Sequence, residues 1–211
     1  GCLLHLVTVL AGDAEAAAAC EWTGFRRDTY DFVRDFSPVG RGGNPAPVRA
    51  ATPADISEVV RLRGLLVRHM RSAPSYYPHM AEKPRSEHER DLADPACRTF
   101  LAETGGRATG FLVVSPPGPA NACDILQDPG TLSVTGAYVT EDSRNGGTGR
   151  AMLGAGLEWA HGRGAERMSV DCEASNIPAV RFWSRHFRPV AITYSRLVEE
   201  GARAVTAQGG P

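Results

Sequence analysis

The sequence predicts an α/β (α+β) fold: one mixed, mostly antiparallel sheet with helices on both faces. Three observations lead there. From residue 48 onward the apolar periodicities run strand, two helices, two or three strands, helix, strand, helix, strand, which is not a doubly wound alternation. Two apolar runs flank Gly105-Gly106, as in an antiparallel hairpin. A knot of glycines also opens directly into an amphipathic run in "TEDSRNGGTGRAMLGAGLEWAHGRG", residues 140–164.

At 211 residues and 42% hydrophobic content the chain can bury a sizeable core. Its formal charge of -1 offers no global basic field, so no nucleic-acid or anionic-lipid partner is expected. No run of about 18 apolar residues occurs, so no membrane span is expected either. The opening "GCLLHLVTVLAGDAEAAAAC" has no basic leader and is interrupted by Asp13 and Glu15, unlike a signal peptide. The five cysteines are widely spaced without a CxxC pair, which fits a reducing cytoplasm. The six histidines show no HExxH or comparable spacing, so no metal is expected.

The elements follow in order. Residues 1–36 read as strand, helix and strand, and "SPVGRGGNPAPV", residues 37–48, reads as a linker because its glycines and prolines sustain neither. The expected division is therefore a small unit at 1–36, a linker at 37–46 and the main domain at 47–211. "VRAATPADISEVVRLRGLLVRHM" gives a short strand and a helix, with Thr52 as N-cap, Pro53 at the first helical position and Asp55 completing a capping box. Ile56, Val59, Val60, Leu66 and Val67 form its expected buried stripe. Residues 71–85 hold three prolines without periodicity and read as a loop, followed by a short helix at 86–94. "RTFLAET" and "RATGFLVVS" are the hairpin strands, and a proline-bearing loop leads into the strand "TLSVTGAYV". Met152, Leu153, Gly156, Leu157 and Ala160 then line one helical face until Gly162 and Gly164 end it. "RMSVDCE" is a strand, "NIPAVRFWSRH" a helix and "VAITYSRLV" the closing strand.

Gly146, Gly147 and Gly149 crowd into four positions between a strand and a helix. Main-chain N–H groups exposed there, at the positive end of the helix dipole, suit a phosphate, and Arg144 and Arg150 flank the place. A flexible surface turn is the competing reading. A P-loop fits poorly because Arg150-Ala151 follow Gly149 in place of GK[ST], and a dinucleotide fingerprint fits poorly because "GTGRAM" lacks the third glycine; a nucleotide-phosphate binder stays as a third reading.

The spacing Arg144-x-x-Gly147-x-Gly149 resembles the R/Q-x-x-G-x-G/A motif of the GNAT superfamily, the acyl-CoA-dependent N-acetyltransferases. "NIPAVRFW", with Asn176, Ala179, Phe182 and Trp183, resembles the family's second segment, N-x-x-A-x-x-F/L-Y. The resemblance covers residues 47–198. It implies a GNAT-like sheet with splayed central strands, one ending near Val139 and the other at 167–172, and acetyl-CoA as co-substrate. By position, the backbone of Ala137, Tyr138 and Val139 would hold the pantetheine and thioester as an added strand would. Arg144 and the N–H groups of Asn145, Gly146, Gly147, Thr148, Gly149 and Arg150 would cradle the diphosphate. Gly136 would permit the bulge that splays the strands. Asn176 would contact the pantetheine or cap its own helix, or do both. Ala179 and Trp183 belong to the same segment, Trp183 with Phe182 as core or cleft wall.

The implied activity is transfer of an acetyl group to a primary amine within a ternary complex, with a catalytically silent acyl-CoA sensor as the alternative; the nucleotide-phosphate reading would require ATP to compete with CoA. The family's usual tyrosine proton donor is replaced by Trp183, and its frequent central-strand glutamate by Ser133 and Thr135. Asp171 and Glu173 in "SVDCEASN" stand at i and i+2 of a strand, on one face, where one can raise the pKa of the other. Glu173 is read as the base with Asp171 as its neighbour; a solvated strand end is the competing reading. Tyr138 and Tyr194 are proton-donor candidates, though tyrosines near strands also serve as packing. The acidic pair favours a cationic small-molecule or peptide amine, and loop 71–85 with Tyr76, Tyr77 and His79 is expected to shape its pocket.

Residues 1–36 resemble the last strand, helix and strands of a second such domain, because Asp13, Ala16 and Cys20 repeat the spacing of Asn176, Ala179 and Trp183. Without a glycine turn this piece is expected to bind no cofactor. Its exposed sheet edge is expected to pack on the intact domain or on a second chain as a homodimer.

Overall fold

The computed structural model describes residues 3–40, 42–77, 80–119 and 122–197. Its strands are β1 (Leu4–Leu10), β2 (Arg26–Arg34), β3 (Val48–Ala50), β4 (Arg98–Thr104), β5 (Arg107–Ser115), β6 (Thr131–Val139), β7 (Arg167–Glu173) and β8 (Arg188–Leu197). The helices are α1 (Ala14–Trp22), α2 (Ile56–Arg71), α3 (Arg85–Ala93), α4 (Thr148–Gly162) and α5 (Ile177–His186). All the strands join one sheet in the order β1-β8-β2-β7-β6-β5-β4-β3. Each neighbouring pair is antiparallel except β6 and β7, which run parallel. The sheet is thus mixed and mostly antiparallel, as its sequence predicts.

Helices cover both faces, and β5 shows how. Successive side chains of a strand point to opposite sides. Leu112 and Val114 enter a core with Met152, Leu153 and Leu157 of α4, while Phe111 and Val113 meet Val59 and Leu62 of α2. The α4 stripe is buried as its periodicity predicts. On α2 the buried positions are Ile56, Val59, Leu62, Val67 and Met70; Val60 and Leu66 are only half-buried, because the helix is rotated toward Leu62 and Met70. α2 is entered through a 3-10 turn at Pro53–Asp55, where the Thr52 N–H donates to Asp55 Oδ2 at 2.7 Å and closes the capping box. The β4–β5 hairpin turns on Gly105 and Gly106, both with positive φ.

The N-terminal segment gives this sheet an inner strand, β2, and an edge strand, β1. β2 lies between β7 and β8, and β1 pairs with β8 from Leu4↔Leu197 to Leu10↔Ala191. Phe32 of β2 is 1% exposed in the same core as α4 and α5, a burial that stabilises the fold by about 1.5–3 kcal/mol. No helix among the described residues is long and apolar enough to cross a membrane.

Candidate active site

β6 and β7 pair only from Thr131↔Arg167 to Val134↔Val170. At the base of the gap the hydroxyls of Ser133 and Ser169 hydrogen-bond to each other, fully buried. Beyond it β7 keeps only β2, pairing Asp171 with Asp31 and Glu173 with Thr29, and β6 keeps only β5. The β5–β6 register slips between Val113 and Val114, and Gly136 stands at that slip. Two parallel strands therefore diverge, and Thr135–Val139 presents unpaired main-chain groups to the gap. Such an edge can accept an extended ligand as an added strand.

The glycine turn lies at the N-terminus of α4. Asn145 (φ 64°) and Gly147 (φ 95°) are both left-handed, and no side chain caps the helix. The turn is met by the linker: the Arg150 guanidinium donates to Gly42 O, and the Ala46 N–H donates to Thr148 Oγ1 at 3.5 Å. A Cβ on Gly147 would stand 2.7 Å from Gly42 O, so glycine is required by approach as well as by φ. The Gly42 carbonyl oxygen thus holds the Arg150 guanidinium where an anionic oxygen could. Arg144 faces the other way, donating from Nε to Val139 O at 3.0 Å and lying over the Tyr138 ring at 5.5 Å, which ties down the end of β6. Gly149 admits Phe182 of α5, whose ring would come within 3.3 Å of a Cβ there.

On α5, Asn176 is the N-cap: its Oδ1 accepts from the Ala179 N–H at 3.4 Å, and its Nδ2 lies 3.2 Å from Met70 Sδ. Ala179 is packed against the core. Trp183 is 6% exposed and meets Phe182 and Phe187 edge to face at 4.8 and 5.5 Å, so it is a core residue.

The carboxylates gather beside the gap, on the face that α2 covers. Burial raises the Asp171 pKa to about 7, helped by the charges of Glu173 and Asp31. Glu173 is raised by burial and by Asp28, and Asp31 by burial, while its Oδ1 accepts the Cys123 N–H at 2.9 Å. The Tyr77 hydroxyl is raised by burial and by the charges of Asp28, Glu173 and Asp171. Loop 71–85 docks there through Ser175 Oγ, which donates to Ser75 O at 2.9 Å; His79 lies outside the described residues. Next to the acids a trough of about 540 Å³ is lined by Thr8, Thr29, Asp31, Cys123, Asp171 and Thr193. Tyr138 is half-buried on β6 with its ring 6.1 Å from His69, whereas Tyr194 is fully buried in the cluster with Cys20 and Ile192.

Asp28 and Asp31 are absent from the sequence reading of the site. Their only signal is a charge inside an otherwise β-prone run, "DTYDFV", and nothing local says that this run will lie beside β7. Among the described residues no cluster of three or more His, Cys, Asp or Glu is arranged to hold a metal ion.

A sheet forked between parallel strands, with a glycine turn opening the following helix, defines the acetyltransferase class of fold. The profile of the Acetyltransferase (GNAT) family matches residues 65–187, more than half of the chain, and the chain belongs to that family. No protein of curated function matches it. Among solved structures it is similar to the aminoglycoside N-acetyltransferase AAC(6')-Iy in complex with CoA, at 18% identity and a TM-score of 0.52 over 66% of this chain and 88% of that one. It is similar to a GCN5-related N-acetyltransferase from Sphaerobacter thermophilus at 16% identity and a TM-score of 0.61, over 92% of this chain and 59% of that one. A ribosomal-protein-alanine N-acetyltransferase from Brucella melitensis matches at 16% identity and a TM-score of 0.51, over 72% of this chain and 99% of that one. At these identities the likeness is one of fold.

Proposed function

We propose that this chain transfers the acetyl group of acetyl-CoA to a primary amine by direct attack in a ternary complex. The observation that carries the reading is the β6–β7 fork, open beyond Val134 and Val170, with a left-handed glycine turn at one end and carboxylates beside it. Acetyl-CoA supplies an activated acetyl thioester. The free β6 edge at Ala137, Tyr138 and Val139 would hold its pantetheine and polarise the carbonyl through a main-chain N–H. The amides of residues 145–150 and the Arg150 guanidinium would take the diphosphate, with Gly42 and its neighbours moving aside. Asn176 and Ala179, at the start of α5, would border the pantetheine, with Trp183 packed behind them in the core.

An alkylamine has a pKa of about 10.4, so roughly one molecule in a thousand is neutral near pH 7. Glu173, with Asp171 as its electrostatic neighbour, accepts the proton as the amine nitrogen bonds to the acyl carbon and the carbon–sulfur bond breaks. Tyr138 is the candidate donor to the departing thiolate. Glu173→Gln is expected to lower kcat/KM about 100-fold or more while leaving CoA affinity within twofold. The test is thiol release from acetyl-CoA with a panel of amines, alongside titration calorimetry with CoA; absence of binding heat rejects the reading.

One observation favours a second reading, an acyl-CoA sensor. Trp183 fills the core where the family has a tyrosine, so α5 offers no proton donor. CoA binding without turnover of any amine would establish it. A homodimer and a cytoplasmic location remain part of the proposal.

A further inference from the structure

Arg63 of α2 is a cation without an anion. Its side chain enters the apolar layer between α2 and the sheet, with Cζ 4.7 Å from the Phe111 ring centre. Its Nε is buried and has no hydrogen-bond partner. Among the described residues no carboxylate lies within ion-pair distance of its guanidinium, although Asp91 on α3 makes its field felt. Two positions earlier, Arg61 is satisfied by Glu58 Oε2 at 2.6 Å and by Ala108 O. Desolvation lowers the Arg63 pKa to about 10, so it stays charged at neutral pH. A desolvated and unpaired charge is expensive and marks a place where a ligand completes the pairing.

The guanidinium lies at the fork. A Cβ on Gly136 would have Arg63 Cζ at 3.0 Å and Nη2 at 3.1 Å, so glycine leaves room for this group one residue before Ala137. Asp171 and Glu173 stand on the same face of the sheet across the gap, raised by burial and, for Asp171, by Glu173 and Asp31, for Glu173 by Asp28; among the described residues no ion pair joins either of them to Arg63. The face therefore presents a cation and an anionic cluster that do not neutralise each other.

We propose that Arg63 binds a carboxylate of the acceptor, so that the acceptor is an amino acid-like zwitterion whose amine and carboxylate are a few bonds apart. The planar guanidinium matches a carboxylate in bidentate geometry, and the acids opposite take the amine before it loses its proton. A desolvated cation at this point disfavours purely polycationic amines. This inference rests on the proposed acetyl transfer and names the class of acceptor.

The test compares amines that differ only in the carboxylate, such as ornithine with putrescine and phenylalanine with phenethylamine, using wild type, Arg63→Met and Arg63→Lys. Wild type is expected to favour the carboxylate-bearing member at least tenfold in kcat/KM. Arg63→Met is expected to raise its KM at least tenfold and to change the decarboxylated partner less than twofold, with Arg63→Lys recovering part of the loss. Unchanged thermal unfolding and CoA affinity show that the variants fold. Equal use of both members by wild type, or an equal fall in kcat for both in Arg63→Met, overturns the proposal. If CoA binds but no amine is acetylated, acetyl transfer itself fails, and calorimetry with the same pairs in the presence of CoA decides the matter for Arg63. Selective binding of the carboxylate-bearing member that Arg63→Met abolishes supports it, and absence of selectivity overturns it.

Discussion

Asp171 carries an electrostatic cost beside the fork. Its pKa of about 7 in the folded protein is set first by burial and then by Glu173 and Asp31, against about 4 in an unfolded chain. Between those two values the folded state keeps a proton that the unfolded state has released. Stability therefore falls as pH rises through this window and stays lower above it. Asp171→Asn removes the cost, so its melting temperature should exceed that of wild type at pH 8 and match it near pH 4; thermal unfolding across this range would refute the idea if the two profiles ran parallel. In the proposed catalysis the same titration would have the opposite benefit. Because the acid pair must lose its last proton to act as a base, kcat/KM is expected to climb through an apparent pKa near 7, and a flat profile from pH 6 to 8 would count against Glu173 and Asp171. Trp183 is held by packing: Trp183→Ala opens a cavity and should cost about 3–5 kcal/mol in denaturant unfolding.

At the scale of elements, the turn before α4 has two claimants. Asn145 and Gly147 are wound left-handed, which exposes amides at the helix N-terminus, and the linker at Gly42 already presents an oxygen to Arg150. Gly147→Ala meets both a forbidden φ and the Gly42 carbonyl, so a loss of about 1–3 kcal/mol in stability is expected together with weaker CoA binding. Arg150→Ala releases the linker and removes one charge-assisted contact from the proposed diphosphate site. The expected result is a CoA affinity about tenfold lower by calorimetry; a tighter complex would mean that the linker, and not the phosphate, is the true partner of Arg150.

On the scale of the whole molecule, residues 26–34 bridge β7 and β8. Removing residues 1–36 takes away an inner strand, Phe32 from the core, and the Asp28 and Asp31 carboxylates from the acidic face. A chain starting at residue 37 is expected not to fold cooperatively, and a sharp thermal transition with wild-type CoA binding would disprove this. At the opposite margin, Leu6 and Leu10 of β1 are 58% and 61% exposed at the edge of the sheet. This is the surface on which a homodimer would form, and Leu6→Lys should shift any dimer toward monomer in sedimentation analysis.

Local chemistry settled much of this in advance. Helical and strand periods, the capping box at Thr52–Asp55, the Gly105-Gly106 hairpin and the glycine knot depend on residues a few positions apart, and they were legible from the sequence, as were Asp171 and Glu173 on one strand face. Three features were not, because each joins segments far apart along the chain. The 28–31 acids reach the site only through insertion of β2 beside β7, Arg63 reaches Gly136 only through the packing of α2 on the sheet, and Gly42 meets Arg150 across 108 positions. Sequence alone named the candidates for binding a phosphate or holding a proton; the tertiary structure decided which of them share a face, since strand order and helix docking follow from the burial of the whole core and not from any local pattern.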